Sequence, residues 1–175
     1  NRDFVVVAGN SAGGHLASLA ALSAGDPAFQ PGFEDADTSV QGCVSFYGVY
    51  CWLDREGLWP HRGLQSFIEH VVIKADPATA EARFMAASPL HRDLAAAPPF
   101  MVVHGASDTL VPVVEGRRFV EHLRAASGEP VCYLEVPNAQ HAFEIFRSPR
   151  GHHTLRAVED FLITIWRRHA QSQPA

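Results

Sequence analysis

The sequence predicts an α/β layer structure: a mostly parallel sheet with flanking helices. Three observations lead there. Four short apolar runs, at residues 4–8, 40–47, 100–104 and 131–136, alternate with helical patterns. The first run, "FVVVA", passes without a linker into "GNSAGG" and then into a helix-like segment. The segments at 112–126 and 154–169 repeat their apolar residues at helical spacing.

Each element has a local reason. Residues 4–8 are β-branched and unbroken by polar residues, so they read as a fully buried strand. Residues 12–24 follow as a helix with Leu16, Leu19, Ala20 and Ser23 on its inner face. Residues 25–38 are a loop rich in Asp, Gly and Pro, and residues 40–47 form the second strand, ended by Gly48. Residues 64–74 form a helix with Leu64, Phe67, Ile68, Val71 and Val72 as its apolar stripe. Asp76-Pro77 reads as an N-cap followed by proline at the first helical position, opening a short helix to about Ala86. The third strand, residues 100–104, is closed by Gly105. The helix at 112–126 turns Phe119, Val120 and Leu123 inward, the fourth strand is 131–136, and Leu155, Val158, Leu162, Ile165 and Trp166 mark the last helix. A single domain is expected over 1–170, with 49–97 as a cap-like excursion over the sheet and 171–175 as a frayed tail.

Bulk properties exclude several function classes. The chain has 175 residues, room for one domain with a core, and a formal net charge of -5, which disfavours a sequence-independent grip on nucleic acid. No apolar run reaches the roughly 18 residues of a membrane span. Asn1-Arg2-Asp3 leads directly into the first strand with no visible signal peptide, so the default compartment is the cytoplasm. The absence of an initiating Met suggests a start inside a longer protein. Cys43, Cys51 and Cys132 are too few and too widely spaced for a disulfide framework; Cys43 and Cys132 read as buried hydrophobes in strands. No CxxC pair is present, and His152-His153 lack the i, i+4 spacing of metal ligands, so no metal is expected.

The corner "GNSAG" places Ser11 between a strand and a helix. A tight turn there exposes the hydroxyl and holds it still, and close backbone approach asks Gly9 and Gly13 to be small. The following helix aims free N–H groups at the site, so the Ala12 N–H is a candidate oxyanion donor. This is the pattern of a nucleophile elbow. A phosphate-cradling loop would need Lys and then Ser or Thr after Gly14, where the sequence has His15 and Leu16. A serine of this kind needs a base and an acid in the chain order Ser, Asp or Glu, His. "MVVHGASDTLVP" (101–112) offers Asp108, and "LEVPNAQHAFEIF" (134–146) offers His141; each follows a strand. Imidazole titrates near neutrality and suits proton transfer, and a carboxylate on its other nitrogen would fix the tautomer. Glu115 and Glu144 are alternative acids less well placed after a strand. His104 reads as a satisfied structural histidine and His15 as a packing residue beside the elbow. Asp108 as a turn cap and His141 as a solvated loop residue are the bland alternatives.

Three segments, Gly9-Asn10-Ser11-Ala12-Gly13-Gly14-His15, His104-Gly105-Ala106-Ser107-Asp108 with Val111-Pro112, and Gln140-His141-Ala142-Phe143, resemble the α/β-hydrolase family. The likeness is to its esterase and lipase branch, akin to hormone-sensitive lipase and mycobacterial-type carboxylesterases, and residues 29–50 look like the actinobacterial members. The resemblance implies a serine ester hydrolase using Ser11, Asp108 and His141 without a cofactor, acting on a small-molecule ester or lipid. Two departures stand out. Many relatives carry an acid before the serine; Asn10 stands here, and it is expected to face the turn with modest consequences. The family's first strands and its His-Gly-Gly oxyanion loop lie upstream of the elbow, where this chain begins, so the N-terminal strands are expected to be missing and the 4–8 strand to have an unpaired edge. Tyr47, Tyr50 and Trp52, with Phe46 and Trp59, are candidates for lining the substrate pocket. The rival functions are a prolyl-oligopeptidase-type serine peptidase and a non-catalytic hydrolase-like fragment or binding module.

Overall fold

The computed structural model describes residues 3–60 and 62–172; Asn1, Arg2 and residues 173–175, the end of the expected tail, lie outside the described residues. Four strands form one parallel sheet in sequence order: β1 (Val6–Asn10), β2 (Gly42–Phe46), β3 (Phe100–Gly105) and β4 (Val131–Val136). Among the described residues, five α-helices accompany them: α1 (Ala12–Ala21), α2 (Gly63–Phe67), α3 (Pro77–Ala86), α4 (Val113–Ala126) and α5 (Pro149–Ser172). A π-helical turn, Ile68–Val72, continues α2.

Strand alternation sorts the core into two layers. Cys43, Phe100 and Val102 face one side, where they meet Ala17 and Ala21 of α1, Phe119, Val120 and Leu123 of α4, and residues of the stretch between β2 and β3. Val44, Phe46, Met101 and Val103 face the other side and meet Phe161 and Ile165 of α5. The two central strands, β2 and β3, are buried at every position.

Several expectations need correction. The first strand lies two residues later than expected and is only partly buried, because β1 is an edge of the described sheet. Helix α1 buries Gly14, His15, Ala17, Ser18 and Ala21 instead of the expected Leu16 face, and Leu16 is 60% exposed. Small residues face inward because this helix lies so close to the sheet: a Cβ on Gly14 would stand 2.6 Å from the Phe46 carbonyl oxygen. Of the 64–72 stripe only Ile68 is buried; Phe67, Val71 and Val72 are exposed. Cys132 is exposed on the edge strand β4, whereas Cys43 and Cys51 are buried. The last helix begins at Pro149 and runs through Ser172, so Gln171 and Ser172 are helical and not frayed. Asp76 caps α3 as expected, its carboxylate accepting from the Ala78 N–H at 2.8 Å.

Candidate active site

The carboxyl ends of β1, β3 and β4 gather the three candidate residues on one rim. Ser11 stands between β1 and α1 with φ 55° and ψ -119°, a conformation costly for a residue with a Cβ. The turn is held by the Ser11 N–H donating to the Phe46 carbonyl at 2.9 Å and the His15 N–H donating to the Ser11 carbonyl at 3.0 Å. Gly9 is obligatory: a Cβ there would lie 2.3 Å from the Gly13 carbonyl oxygen. A Cβ on Gly13 would meet nothing within 4 Å, so the second crowded glycine is Gly14 and not Gly13.

His141 Nε2 lies 2.9 Å from Ser11 Oγ, and His141 Nδ1 lies 2.8 Å from Asp108 Oδ2. The Asp108 side chain is wholly buried. Its other oxygen, Oδ1, accepts the Leu110 and Val111 N–H groups, each at 2.9 Å. That leaves Oδ2 directed at imidazole. One oxygen of this carboxylate thus caps the turn while the other faces the imidazole. Ala142, with φ 58°, and Tyr47, with φ 37°, are two further left-handed residues beside the site. Ala12 opens α1, where the first N–H groups have no partner within the helix.

His104 is fully buried and its Nε2 lies 2.9 Å from the Val111 carbonyl, while Nδ1 has no hydrogen-bond partner. Burial lowers its pKa, partly opposed by the Val111 carbonyl and Asp108. A neutral ring donating to Val111 supports the turn that carries Asp108; only one of its nitrogens is satisfied. His15 is the expected packing residue. Its ring lies 4.4 Å from that of Trp52, its Nε2 is 2.7 Å from the Ala87 carbonyl, and burial lowers its pKa.

Beside Ser11 lies a cavity of about 590 Å³, lined by Ala12, Leu16, Trp52, Leu64, Phe67 and Leu110 among others. Of the five aromatic residues expected there, only Trp52 lines it; Phe46 and Trp59 are buried in the core instead. Tyr50 is buried in the core, stacked on Phe119 with ring centroids 4.2 Å apart. Tyr47 packs on His141 at 4.5 Å, and its hydroxyl donates to Glu144. Sequence reasoning missed the wall formed by Leu64 and Phe67, although a stripe too apolar for a solvent-facing helix was its signal. Neither alternative acid hydrogen-bonds His141; Asp108 does. Glu115 is buried under the excursion, and Glu144 bonds Tyr47 and Asn10. Asn10 therefore reaches out of the turn into the loop that carries His141, contrary to expectation.

A serine on a strained strand-to-helix corner, with its histidine and aspartate on later strand ends of a parallel sheet, defines an α/β-hydrolase-like domain. Residues 1–123 match the BD-FAE family model, and the chain belongs to that family. It is 48% identical over 174 residues to the probable carboxylic ester hydrolase LipM of Mycobacterium tuberculosis, covering 98% of this chain and 40% of LipM. It is 45% identical to esterase LipQ of the same organism, covering 95% of this chain and 39% of LipQ. The chain thus spans about two fifths of the length of these curated relatives. Among solved structures, a thermophilic esterase from Thermogutta terrifontis with butyrate bound superposes with a TM-score of 0.69 at 28% identity, covering 91% of this chain and 56% of the esterase.

Proposed function

We propose that the protein carrying this chain is a serine hydrolase of carboxylic esters, with Ser11 as nucleophile, His141 as base and Asp108 as its orienting acid. The observation that carries this reading is the continuous relay from Ser11 Oγ through both nitrogens of His141 to Asp108. The names of the relatives support the same chemistry.

In the proposed reaction His141 Nε2 takes the Ser11 proton as Oγ attacks the ester carbonyl. The Ala12 N–H donates to the developing oxyanion at the start of α1. The resulting imidazolium hands its proton to the leaving alcohol and the acyl-enzyme forms. Water, deprotonated by His141, then releases the acid. Asp108 holds the Nδ1–H tautomer throughout, because Oδ1 is engaged by two amides and Oδ2 is left to face the ring.

The apolar lining of the adjoining cavity favours esters with an uncharged acyl or alcohol group over charged substrates. Residues 49–97 act in this reading as a cap that supplies one wall. The butyrate bound in the Thermogutta terrifontis esterase fits a short acyl chain here as well. A panel of p-nitrophenyl esters of increasing acyl length, run beside a matched p-nitroanilide, tests the proposal. Ester cleavage lost in Ser11→Ala is expected; cleavage of the anilide alone would indicate a peptidase instead.

A further inference from the structure

Glu144 lies three residues beyond His141 and does not line the apolar cavity. Its Oε1 accepts the Asn10 Nδ2 at 2.7 Å and the Tyr47 hydroxyl. Asn10 is the residue before the nucleophile. Tyr47 follows β2 in a left-handed conformation, and its ring covers His141. One carboxylate oxygen thus joins the end of β1, the segment after β2 and the loop after β4. The other oxygen, Oε2, is buried without a hydrogen-bond partner. None of Asn10, Tyr47 and Glu144 lines the cavity.

We propose that Glu144 is a positioning residue that clamps the histidine loop to the nucleophile corner, and that the amide at position 10 is its matched donor. The proposal rests on the function given above. The base and nucleophile sit on loops 130 residues apart in sequence. Fixing the Asp108–His141 distance leaves the approach of Nε2 to Ser11 free to vary, and the clamp removes that freedom. A carboxylate at position 10 would face Glu144 across hydrogen-bonding distance and repel it, which accounts for the asparagine. Because the three residues stand apart from the cavity, the clamp acts on the chemical step and not on substrate affinity.

The test uses the natural full-length protein and four variants: Glu144→Ala, Glu144→Gln, Asn10→Asp and the double variant Asn10→Asp/Glu144→Gln. A misplaced base costs turnover steeply, so Glu144→Ala and Asn10→Asp are expected to lower kcat about 10- to 100-fold with KM within about twofold. Glu144→Gln keeps an acceptor for Tyr47 and Asn10 and is expected to lose only about two- to fivefold, roughly the worth of charge assistance. In the double variant the new amide donates to the new carboxylate, so kcat recovers above that of Asn10→Asp alone. The imidazole 15N resonances of His141 provide a readout that needs no turnover. They are expected to broaden in Asn10→Asp and Glu144→Ala and to sharpen again in the double variant. A parent protein that cleaves no ester would overturn the function without touching this spectral prediction. Unchanged His141 resonances across the set would overturn the clamp, as would a loss confined to KM or to thermal stability. If Glu144→Ala does not fold, the Asn10→Asp and double variants decide.

Discussion

Asp108 illustrates how much work one side chain does at this site. Two backbone amides fix Oδ1, and His141 is left with Oδ2. Asp108→Asn keeps the shape but sets an amide donor against either the two N–H groups or Nδ1–H. The proposed mechanism then predicts a fall in kcat of about 10³- to 10⁴-fold with the fold retained, checked by steady-state kinetics beside circular dichroism. The glycines separate by the same kind of inspection. Gly14→Ala brings a methyl against the Phe46 carbonyl oxygen and is expected to destabilise by about 1–3 kcal/mol. Gly13→Ala meets open space within α1 and is expected to be neutral or to stabilise by about 0.4–1 kcal/mol. Denaturant melts of the two variants check the contrast. The sequence pattern asked Gly9 and Gly13 to be small, whereas the packing distances put the requirement on Gly9 and Gly14. The juxtaposition of Ser11, Asp108 and His141 was foreseeable because chain order and strand ends constrain it. Glu144 was not, because its partners lie 97 and 134 residues away and no spacing rule joins them.

Among the elements, β2 and β3 were legible to within two residues, since buried parallel strands read as unbroken apolar runs; β4 was legible in its bounds although only Val136 of it is buried. Helix α1 was legible in position and wrong in face. Its inward side is glycine, alanine and serine, chosen for closeness to the sheet, and a hydrophobicity pattern gives such residues little weight. The stretch from 49 to 97 was the least legible because the residue that ties it down is polar and remote. Glu115, on α4, is 2% exposed and accepts the Tyr50 and Cys51 N–H groups and the Trp59 indole N–H, each at 3.0 Å. Burial pushes its carboxyl above the usual range, against the pull of those three donors. Glu115→Ala would leave three donors without an acceptor under the cavity wall. A loss of about 2–5 kcal/mol is expected, with greater protease sensitivity in residues 50–60 as the local readout. Glu115→Gln, which retains one acceptor oxygen, is expected to cost less.

At the scale of the whole molecule, the parallel sheet carries its site at the carboxyl ends of the strands and its packing on both faces. The buried histidines give this arrangement an acid-sensitive stability. His15 and His104 both have pKa values lowered by burial, so the unfolded chain binds more protons than the folded one once pH drops below about 6.5. Stability contributed by keeping these rings neutral is present above that pH and declines as pH falls toward their folded values. Thermal melts between pH 8 and 5 are expected to show a falling Tm, and the fall is expected to be shallower in His15→Gln. No described helix is long and apolar enough to cross a membrane.

In the proposed mechanism Ser11, His141 and Asp108 act as one unit. Intact-mass analysis after fluorophosphonate treatment tests it most directly, with the full-length protein run beside Ser11→Ala and His141→Ala. A single covalent adduct is expected on the parent, none on Ser11→Ala and a slowed rate on His141→Ala. A folded parent that forms no adduct, or an adduct that persists in Ser11→Ala, would contradict it.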